Sequence, residues 1–454
     1  MTGQSESIKS IDATNVLHPY TDLNSLREQG PFIVERGEGI YVYDDNGNKY
    51  IEATGALWYA ALGFGENELV EAAIAQMRKL PCYHTFYQKS TAPVALLAER
   101  LVSMAPGNMS RAFFTNSGSE AIDSAIKTVW YYNNSRGLTA KKKFIARHRA
   151  YHGVTIASCS LTGIERNHLE FDLPLPFVRH VTCPHFYREG LEGETESEFC
   201  DRLIAEIEQT IIEEGADTVA AFIAEPVMAA GGVVVPPERY FEKLMPVLKR
   251  HDILMIADEV VCGFGRTGQM FGSQTFGIDP DIVIVAKALS SGYLPIASLL
   301  VSEDICDGIA DQSKNLGSYN HGFTYSGHPV SSAVALRNLE LYEERNLMEH
   351  VNDMIPLFRE RLKATAELPL VGEARGVGLI GGIELVADKT TRQPFDPARK
   401  IGLKCSGMAE NAGIIIRPMG DALALCPPLI IKEDEINQLF DGLEATIRKL
   451  GNEL

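Results

Sequence analysis

Long apolar runs are missing from this chain. No uninterrupted stretch of the 454 residues approaches the roughly 20 that a membrane-spanning helix needs. The polar opening, Met1 to Ser10, has no apolar segment of the kind a secretory signal carries. Positive charge is also scarce: 42 Lys and Arg against 60 Asp and Glu give a formal net charge of -18. Such a surface repels a phosphate backbone and argues against nucleic-acid binding. The dense basic run Lys141-Lys142-Lys143, with Arg147 and Arg149 nearby, reads as a solvated face before a strand. Eight cysteines are scattered without a CxxC pair, so reduced thiols in a cytoplasmic protein are expected. Cys183-Pro184-His185 is a lone Cys-x-His without a second cluster, and no metal site is expected. There are no repeats and no low-complexity segments.

What is present is an ordinary globular composition, 45% apolar and 22% charged, on a length that admits more than one domain. The middle of the chain alternates strand and helix signals. Short apolar runs at Ala112 to Thr115, Phe144 to Arg147, Thr218 to Ala224, Ile253 to Ala257, Asp281 to Ala286 and Ile296 to Val301 read as strands. Between them lie helical patterns at Ser119 to Asn134, Phe199 to Ile211 and Tyr240 to Arg250. This predicts an α/β fold with a mostly parallel sheet buried by helices on both faces. Ile40 to Ile51 carries the turn Asp44-Asp45-Asn46-Gly47 of a hairpin. Long helical patterns from Ser332 give way to short strands near Leu379 to Leu385, Ile414 to Arg417 and Leu423 to Cys426. The expected division is a large domain over 61–331 and a smaller α+β domain from 1–60 and 332–454.

Three features carry chemistry. Lys287 closes the run Ile282 to Ala286, where desolvation would lower its pKa and leave a neutral, nucleophilic amine. A lysine reaching from a strand end into water is the alternative. Asp258 closes Ile253 to Ala257, and a carboxylate there needs a charged partner such as a pyridinium nitrogen, or else caps the next turn. Thr115-Asn116-Ser117-Gly118-Ser119-Glu120-Ala121 runs from strand through a small-residue turn into a helix, which suits a phosphate at the helix N-terminus and equally a Ser117/Glu120 capping box. Gly263-Phe264-Gly265-Arg266-Thr267-Gly268 matches a dinucleotide fingerprint. The residues after it, Gln269 to Ser273, do not open a helix, and the segment reads as a flexible loop.

Asn116 to Ala121, Tyr151-His152-Gly153, Glu225-Pro226-Val227, Asp258-Glu259-Val260, Gly263 to Gly268, Lys287 and Gly322-Phe323-Thr324 occur in the order seen in class III aminotransferases. The chain resembles that family from about Tyr20 to Cys426. Trp58, His84 with Phe86, Thr182 to His185, Ala224 to Met228, His321 to Thr324 and Arg417-Pro418 make it most similar to (S)-selective omega-transaminases of the amine:pyruvate type.

The resemblance implies pyridoxal 5'-phosphate as cofactor, fold type I, and a homodimer with shared active sites, a tetramer being left open. It implies that Lys287 forms the Schiff base and shuttles the proton, and that Asp258 pairs with the pyridine nitrogen. Tyr151 and Val260 would flank the ring and Gly118 and Ser119 would bind phosphate. Glu225 would support the ring network. His152 and Phe323 would complete the cofactor set, and Thr324 would reach the neighbouring subunit's phosphate.

Arg417 matches a movable arginine that forks onto the carboxylate of pyruvate and swings away for an apolar group. Trp58, Phe86 and Tyr151 would line that pocket, Ala229 would limit its smaller side, and Tyr20 and Phe323 would contribute from the dimer interface. Met228-Ala229-Ala230-Gly231-Gly232 departs from the more usual Gly-Ala-Gly-Gly ending, and Tyr87 stands at the entrance, so pocket size is open. The expected reaction is ping-pong transfer from an amine or omega-amino acid to a keto acid such as pyruvate. A decarboxylase or aminomutase of the same family, a dinucleotide oxidoreductase and a non-catalytic scaffold are the alternatives. Intact Lys287 and Asp258 argue against the scaffold, and the match at Trp58, Phe86 and Arg417 against the first two.

Overall fold

β-Branched residues set the centre of the fold. Ile282–Val285 is four such residues in a row, all buried, paired in parallel with Leu254–Asp258, which is buried throughout. In the computed structural model, which describes residues 2–454 and side chains from residue 8, these two strands lie inside a seven-stranded sheet. Met1, where the polar opening begins, lies outside the described residues. The sheet order is Met109–Thr115, Ala297–Ser302, Ile282–Val285, Leu254–Asp258, Val219–Ala224, Lys143–Arg147, Val178–Val181. Ala297–Ser302 runs against both its neighbours, and the four remaining pairings are parallel.

Both faces are covered, as such strands require. On one face the helix Gly118–Ser135 buries Ala121, Ile122, Ala125 and Val129 against Phe144, Ala221, Ile256 and Ile284. On the other, Glu196–Glu214 and Tyr240–Arg250 bring Phe199, Leu203, Ile207, Leu244 and Leu248 onto Ile145, Phe222 and Met255. The strand Met109–Thr115 starts earlier than its apolar run, because Ser302 pairs back to Met109 through the polar Ser110 and Arg111. Val178–Val181 gives no apolar run at all, since Arg179 and His180 interrupt it at the sheet edge.

The two ends of the chain meet. Val34–Glu38, Tyr41–Asp44 and Lys49–Glu52 form an antiparallel meander, and Ile414–Ile415 adds a parallel strand on Lys49–Glu52, with Ile415 opposite Glu52. The segment expected as one strand, Ile414 to Arg417, is therefore two. Arg417–Met419 pairs instead with Ala422–Leu425, in a sheet completed by Val371–Val377 and Ile380–Leu385. Arg417 sits just after the chain crosses between sheets, and Pro418 cannot donate to a ladder.

Two expectations are corrected. The Lys141 to Lys143 run is not a solvated face. Lys141 is 4% exposed, its Nζ bonding His251 O at 3.2 Å at the C-terminus of a helix and pairing with Asp252 at 3.2 Å. Lys142 Nζ donates to Asn134 Oδ1 at 2.6 Å and Lys143 Nζ pairs with Glu214 at 2.8 Å. The Gly263 to Gly268 loop is not free either. It is buried, with Arg266 donating to Leu379 O at 2.9 Å and Pro427 O at 2.7 Å. A short helix, Gly272–Phe276, does follow it, but the Glu259 carboxylate accepts from Gly272 N at 2.9 Å and Ser273 N at 2.6 Å. The N–H groups a dinucleotide phosphate would use are taken.

Among the described residues no helix is long and apolar enough to cross a membrane. Nor do three or more His, Cys, Asp or Glu side chains gather there to hold a metal ion. His185 instead pairs with Glu373 at 2.8 Å, and all eight cysteines are free.

Candidate active site

Three neighbouring parallel strands bring their C-terminal ends to one edge of the sheet, where ligands of open α/β sheets gather. Val219–Ala224 is followed by Glu225, Leu254–Asp258 ends on Asp258, and Ile282–Val285 leads to Lys287. Lys287 opens a single turn of 3-10 helix with φ +49°. This conformation turns its chain out of the strand's line. Burial holds the Lys287 ammonium below its ordinary value, although Asp258 and Glu225 pull the other way. A neutral amine at a closed site is a nucleophile toward carbonyls and a proton acceptor.

Asp258 is 4% exposed. Its Oδ2 lies 2.8 Å from His152 Nδ1, and its Oδ1 accepts from Val260 N at 3.1 Å. His152 Nε2 is buried and hydrogen-bonds no protein group. Glu225 spans two segments: Oε1 accepts from Tyr151 N and Oε2 from Ala229 N, each at 3.0 Å. Burial raises the Glu225 carboxyl, Asp258 adds to this, and His152 opposes it.

Gly118 and Ser119 open the helix Gly118–Ser135, where the first N–H groups have no intrahelical partner. Ser117 Oγ accepts from Glu120 N at 3.2 Å, while the Glu120 carboxylate folds back onto Asn116 N at 2.7 Å. Capping and an open N-terminus thus coexist. A Cβ at Gly118 would lie 3.4 Å from Val260 Cγ2 and 3.9 Å from Ala286 Cβ, so the helix start packs against the Asp258 and Lys287 strand ends. Ser119 Oγ accepts from Val154 N at 3.1 Å, tying the Tyr151 segment to the same point. Pyridoxal phosphate needs an amine, a charge partner for its ring nitrogen and a phosphate cradle; Lys287, Asp258 and the Gly118–Ser119 turn, joined by these contacts, fit it.

A second group lies beside the first. Trp58 is 4% exposed and shares an apolar cluster with Val227, Ala229, Val233, Ala424 and Cys426. Arg417 places its guanidinium carbon 5.8 Å above the Trp58 ring. Burial lowers the Arg417 pKa, and Tyr151 and Tyr20 counter it. Burial and a hydrogen bond to Tyr20 push the Tyr151 phenol up. Tyr20, 72% exposed, accepts from Asn167 Nδ2 at 3.1 Å. It therefore stands at Tyr151 and Arg417 of its own chain.

Phe86, Phe323 and Thr324 come from two other segments of the chain. Phe86 packs on Gly322, where a Cβ would lie 3.0 Å from its Cζ. Phe323 N donates to Ser326 Oγ at 3.1 Å, and Thr324 is exposed. Among the described residues, none of the three hydrogen-bonds Lys287, Asp258 or Arg417. Sequence reasoning missed Glu259, which fixes the loop after Asp258, and Glu52, which accepts from Thr54 Oγ1 at 2.7 Å in the turn before Trp58. Glu259 carried a readable signal, a second acid just after an apolar strand, whereas Glu52 ends the mixed strand Lys49–Glu52 and gave none.

The sequence profile of the family Aminotransferase class-III matches residues 24–447. The chain is 49% identical to "Probable gamma-aminobutyrate transaminase 3, mitochondrial" of Oryza sativa subsp. indica, over 98% of this chain and 90% of the relative. It is 50% identical to "Gamma aminobutyrate transaminase 3, chloroplastic" of Solanum lycopersicum, over 95% and 84%. Among solved structures it superposes on the omega transaminase of Pseudomonas jessenii in complex with PMP, with a TM-score of 0.97 and 53% identity over 98% of each chain. An omega transaminase variant, W58M/F86L/R417L, engineered for asymmetric synthesis of enantiopure bulky amines gives 0.97 at 52% identity, over 98% of this chain and 99% of that one. Likeness of this depth along nearly the whole chain, on strand ends that already suit the cofactor, means that this chain belongs to the class III aminotransferases, pyridoxal-phosphate transaminases of fold type I.

Proposed function

We propose that this transaminase takes its amino group from amines or omega-amino acids and delivers it to pyruvate, using Lys287 as its acid–base residue. The observation that carries the reading is Arg417 poised over Trp58 beside the Lys287 strand end. That site offers a cation to a carboxylate and an apolar wall to an amine.

Pyridoxal phosphate, when bound, withdraws electrons from the donor carbon. Lys287 Nζ, whose charged form burial disfavours, takes the proton from that carbon and returns it. Asp258, held by His152 and Val260 N, supplies the negative charge that keeps a ring nitrogen protonated. The N–H groups of Gly118 and Ser119 hold phosphate. Tyr151 and Val260 would flank the ring, and Glu225 fixes Tyr151 relative to Ala229. Arg417 forks onto the acceptor's carboxylate and withdraws when an apolar amine enters. Trp58, Ala229 and Tyr20 shape the space beside it. The same residue numbers, 58, 86 and 417, were altered in the related enzyme engineered for bulky amines, which supports a pocket role for them.

Phe86 packs on Gly322, next to Phe323 and the exposed Thr324, and among the described residues none of the three hydrogen-bonds Lys287. Their position supports a homodimer in which these residues complete the site of the second copy. The seven-stranded sheet within 109–302, and the pairing of Ile414–Ile415 with Lys49–Glu52, support a large domain over 61–331 and a small one from 1–60 and 332–454. Free thiols and the lack of a spanning helix among the described residues support the cytoplasm.

The test is the absorption spectrum of the cofactor-loaded protein with a carboxylate-free amine and then pyruvate. Bleaching by the amine, recovery with pyruvate and formation of alanine are expected. A band that ignores the amine removes the donor class, and one that stays bleached with pyruvate removes the acceptor.

A further inference from the structure

The turn that delivers Trp58 is strained. Gly55, Ala56 and Trp58 have φ of +55°, +57° and +68°, and two of these three residues carry side chains that avoid positive φ. Such conformations persist where the surroundings over-determine them. The surrounding group here is Glu52, which is 5% exposed. Its Oε1 accepts from Thr54 Oγ1 at 2.7 Å and its Oε2 accepts from Ala56 N. Trp58 N in turn donates to Thr54 O at 3.1 Å. On the other side, Glu52 lies opposite Ile415 in the parallel pair, two residues before Arg417, and Cys426 N donates to Ala53 O at 2.7 Å. One residue thus joins the two: the Glu52 carboxylate holds the Trp58 turn, and the Glu52 backbone pairs with the strand that leads to Arg417.

Among the described residues no cation pairs with it. The titratable groups that feel Glu52 are the Tyr59 phenol and the Cys426 thiol, and Cys426 also feels Lys287. Burial pushes the Glu52 carboxyl up to about 7. A buried acid without a counter-charge is unfavourable in a fold. Here both carboxylate oxygens are aimed at the turn.

We propose that Glu52 is a positioning residue for amine selection: through Thr54 and Ala56 it fixes the turn that sets the Trp58 ring against Arg417 and Ala229. This rests on the reading of Trp58 as a wall of the amine pocket. Trp58 is held by its backbone turn, so loosening Glu52 moves the wall and leaves Lys287 and Asp258 in place.

The chain has two tryptophans, so Trp130→Phe leaves Trp58 as the sole emitter. In that background, Glu52→Ala in the holoenzyme is expected to red-shift the emission and raise acrylamide quenching. With Trp130 retained, KM for a small aryl amine rises and the kcat/KM preference for small over bulky amines falls, each by about tenfold, the scale of a methylene-sized misfit. The change in kcat is smaller. Glu52→Gln restores both, because its amide oxygen still accepts from Ala56 N. Unchanged Trp58 emission and unchanged amine preference in Glu52→Ala overturn the proposal. If Glu52→Ala does not fold, Thr54→Val is measured instead, and unchanged emission there overturns it equally. A shifted emission with an unchanged amine preference overturns the selection role and, with it, the placing of Trp58 in the amine pocket. Amine turnover that is absent in the unaltered enzyme while Trp58 still responds to Glu52→Ala overturns the functional reading and not the hold on the turn.

Discussion

His152 Nδ1 lies 2.8 Å from Asp258 Oδ2, with both side chains closed off from solvent. The pair fixes the carboxylate in two directions, since the other oxygen takes Val260 N. Asp258→Asn removes the charge and is expected to lower kcat by about a thousandfold, as loss of a preorganised electrostatic group does. His152→Phe removes the fixing bond alone, and its loss is expected to be nearer a hundredfold, the scale of a misplaced catalytic group. Cofactor absorbance and kcat in the two variants check the order. Equal losses would show that His152 acts as more than a positioning group.

Arg417→Leu separates the two half-reactions. The guanidinium has its apolar partner Trp58 on one side and is exposed to phenols on the other. Removing a bidentate carboxylate partner is expected to raise KM for pyruvate by about a hundredfold or more. A carboxylate-free amine should react in a single turnover at nearly the original rate. Parallel losses for both substrates would place Arg417 in structure and not in recognition.

Glu259 gives a pH signature of stability. Burial lifts its carboxyl from 4.5 to about 7 against the donors Ser273 and Gly272. The folded chain keeps this proton to higher pH than the unfolded chain does. The contribution is therefore fully present below about pH 4.5 and is lost as the pH rises through about 7, on the order of 3 kcal/mol in all. Glu259→Gln is expected to flatten the fall in Tm between pH 5 and pH 8, whatever it does to Tm itself. An unaltered slope would assign the fall to other groups.

Shared sites predict complementation. Lys287→Ala should fold normally and lose turnover, because its own strand end supplies the amine. Thr324→Glu should also lose turnover if that exposed residue meets a phosphate in a second copy, since two anions would then be opposed. Mixing the two inactive proteins and allowing subunits to exchange should restore activity, because a mixed dimer holds one site with neither lesion. Failure to recover after demonstrated exchange would remove the shared site.

The sequence made the strand ends legible because the physics there is local. Ile282 to Val285 and Leu254 to Ala257 are apolar on both faces, and a charged residue closing each run stands out. Edge strands were less legible, since the half-buried polar residues Arg179 and His180 dilute the apolar pattern. The break between Ile415 and Arg417 was invisible because Ile414 to Ile416 reads as one extended apolar run into Arg417, and the strand that claims its first half, Lys49–Glu52, lies far away in sequence. Lys141 looked like a surface residue because two of its partners are the carbonyls of His251 and Asp252, which carry no side-chain signal, and the third, the Asp252 carboxylate, lies far away in sequence. The Trp58 turn was hidden for a related reason: Ala56 and Trp58 take positive φ, and neither residue type advertises it.

The parallel pairing of Ile415 with Glu52 links residues at opposite ends of the chain. A chain made from its N-terminus places Lys49–Glu52 in solution long before that partner exists, whereas the strands ending at Asp258 and Lys287 have their neighbours within the same stretch. Closing so long a loop is slow, and it depends on contacts formed first. The expected order of assembly follows: the strands ending at Asp258 and Lys287 can pair from the middle of the chain, and the link between the Trp58 turn and Arg417 is completed when the final strands arrive.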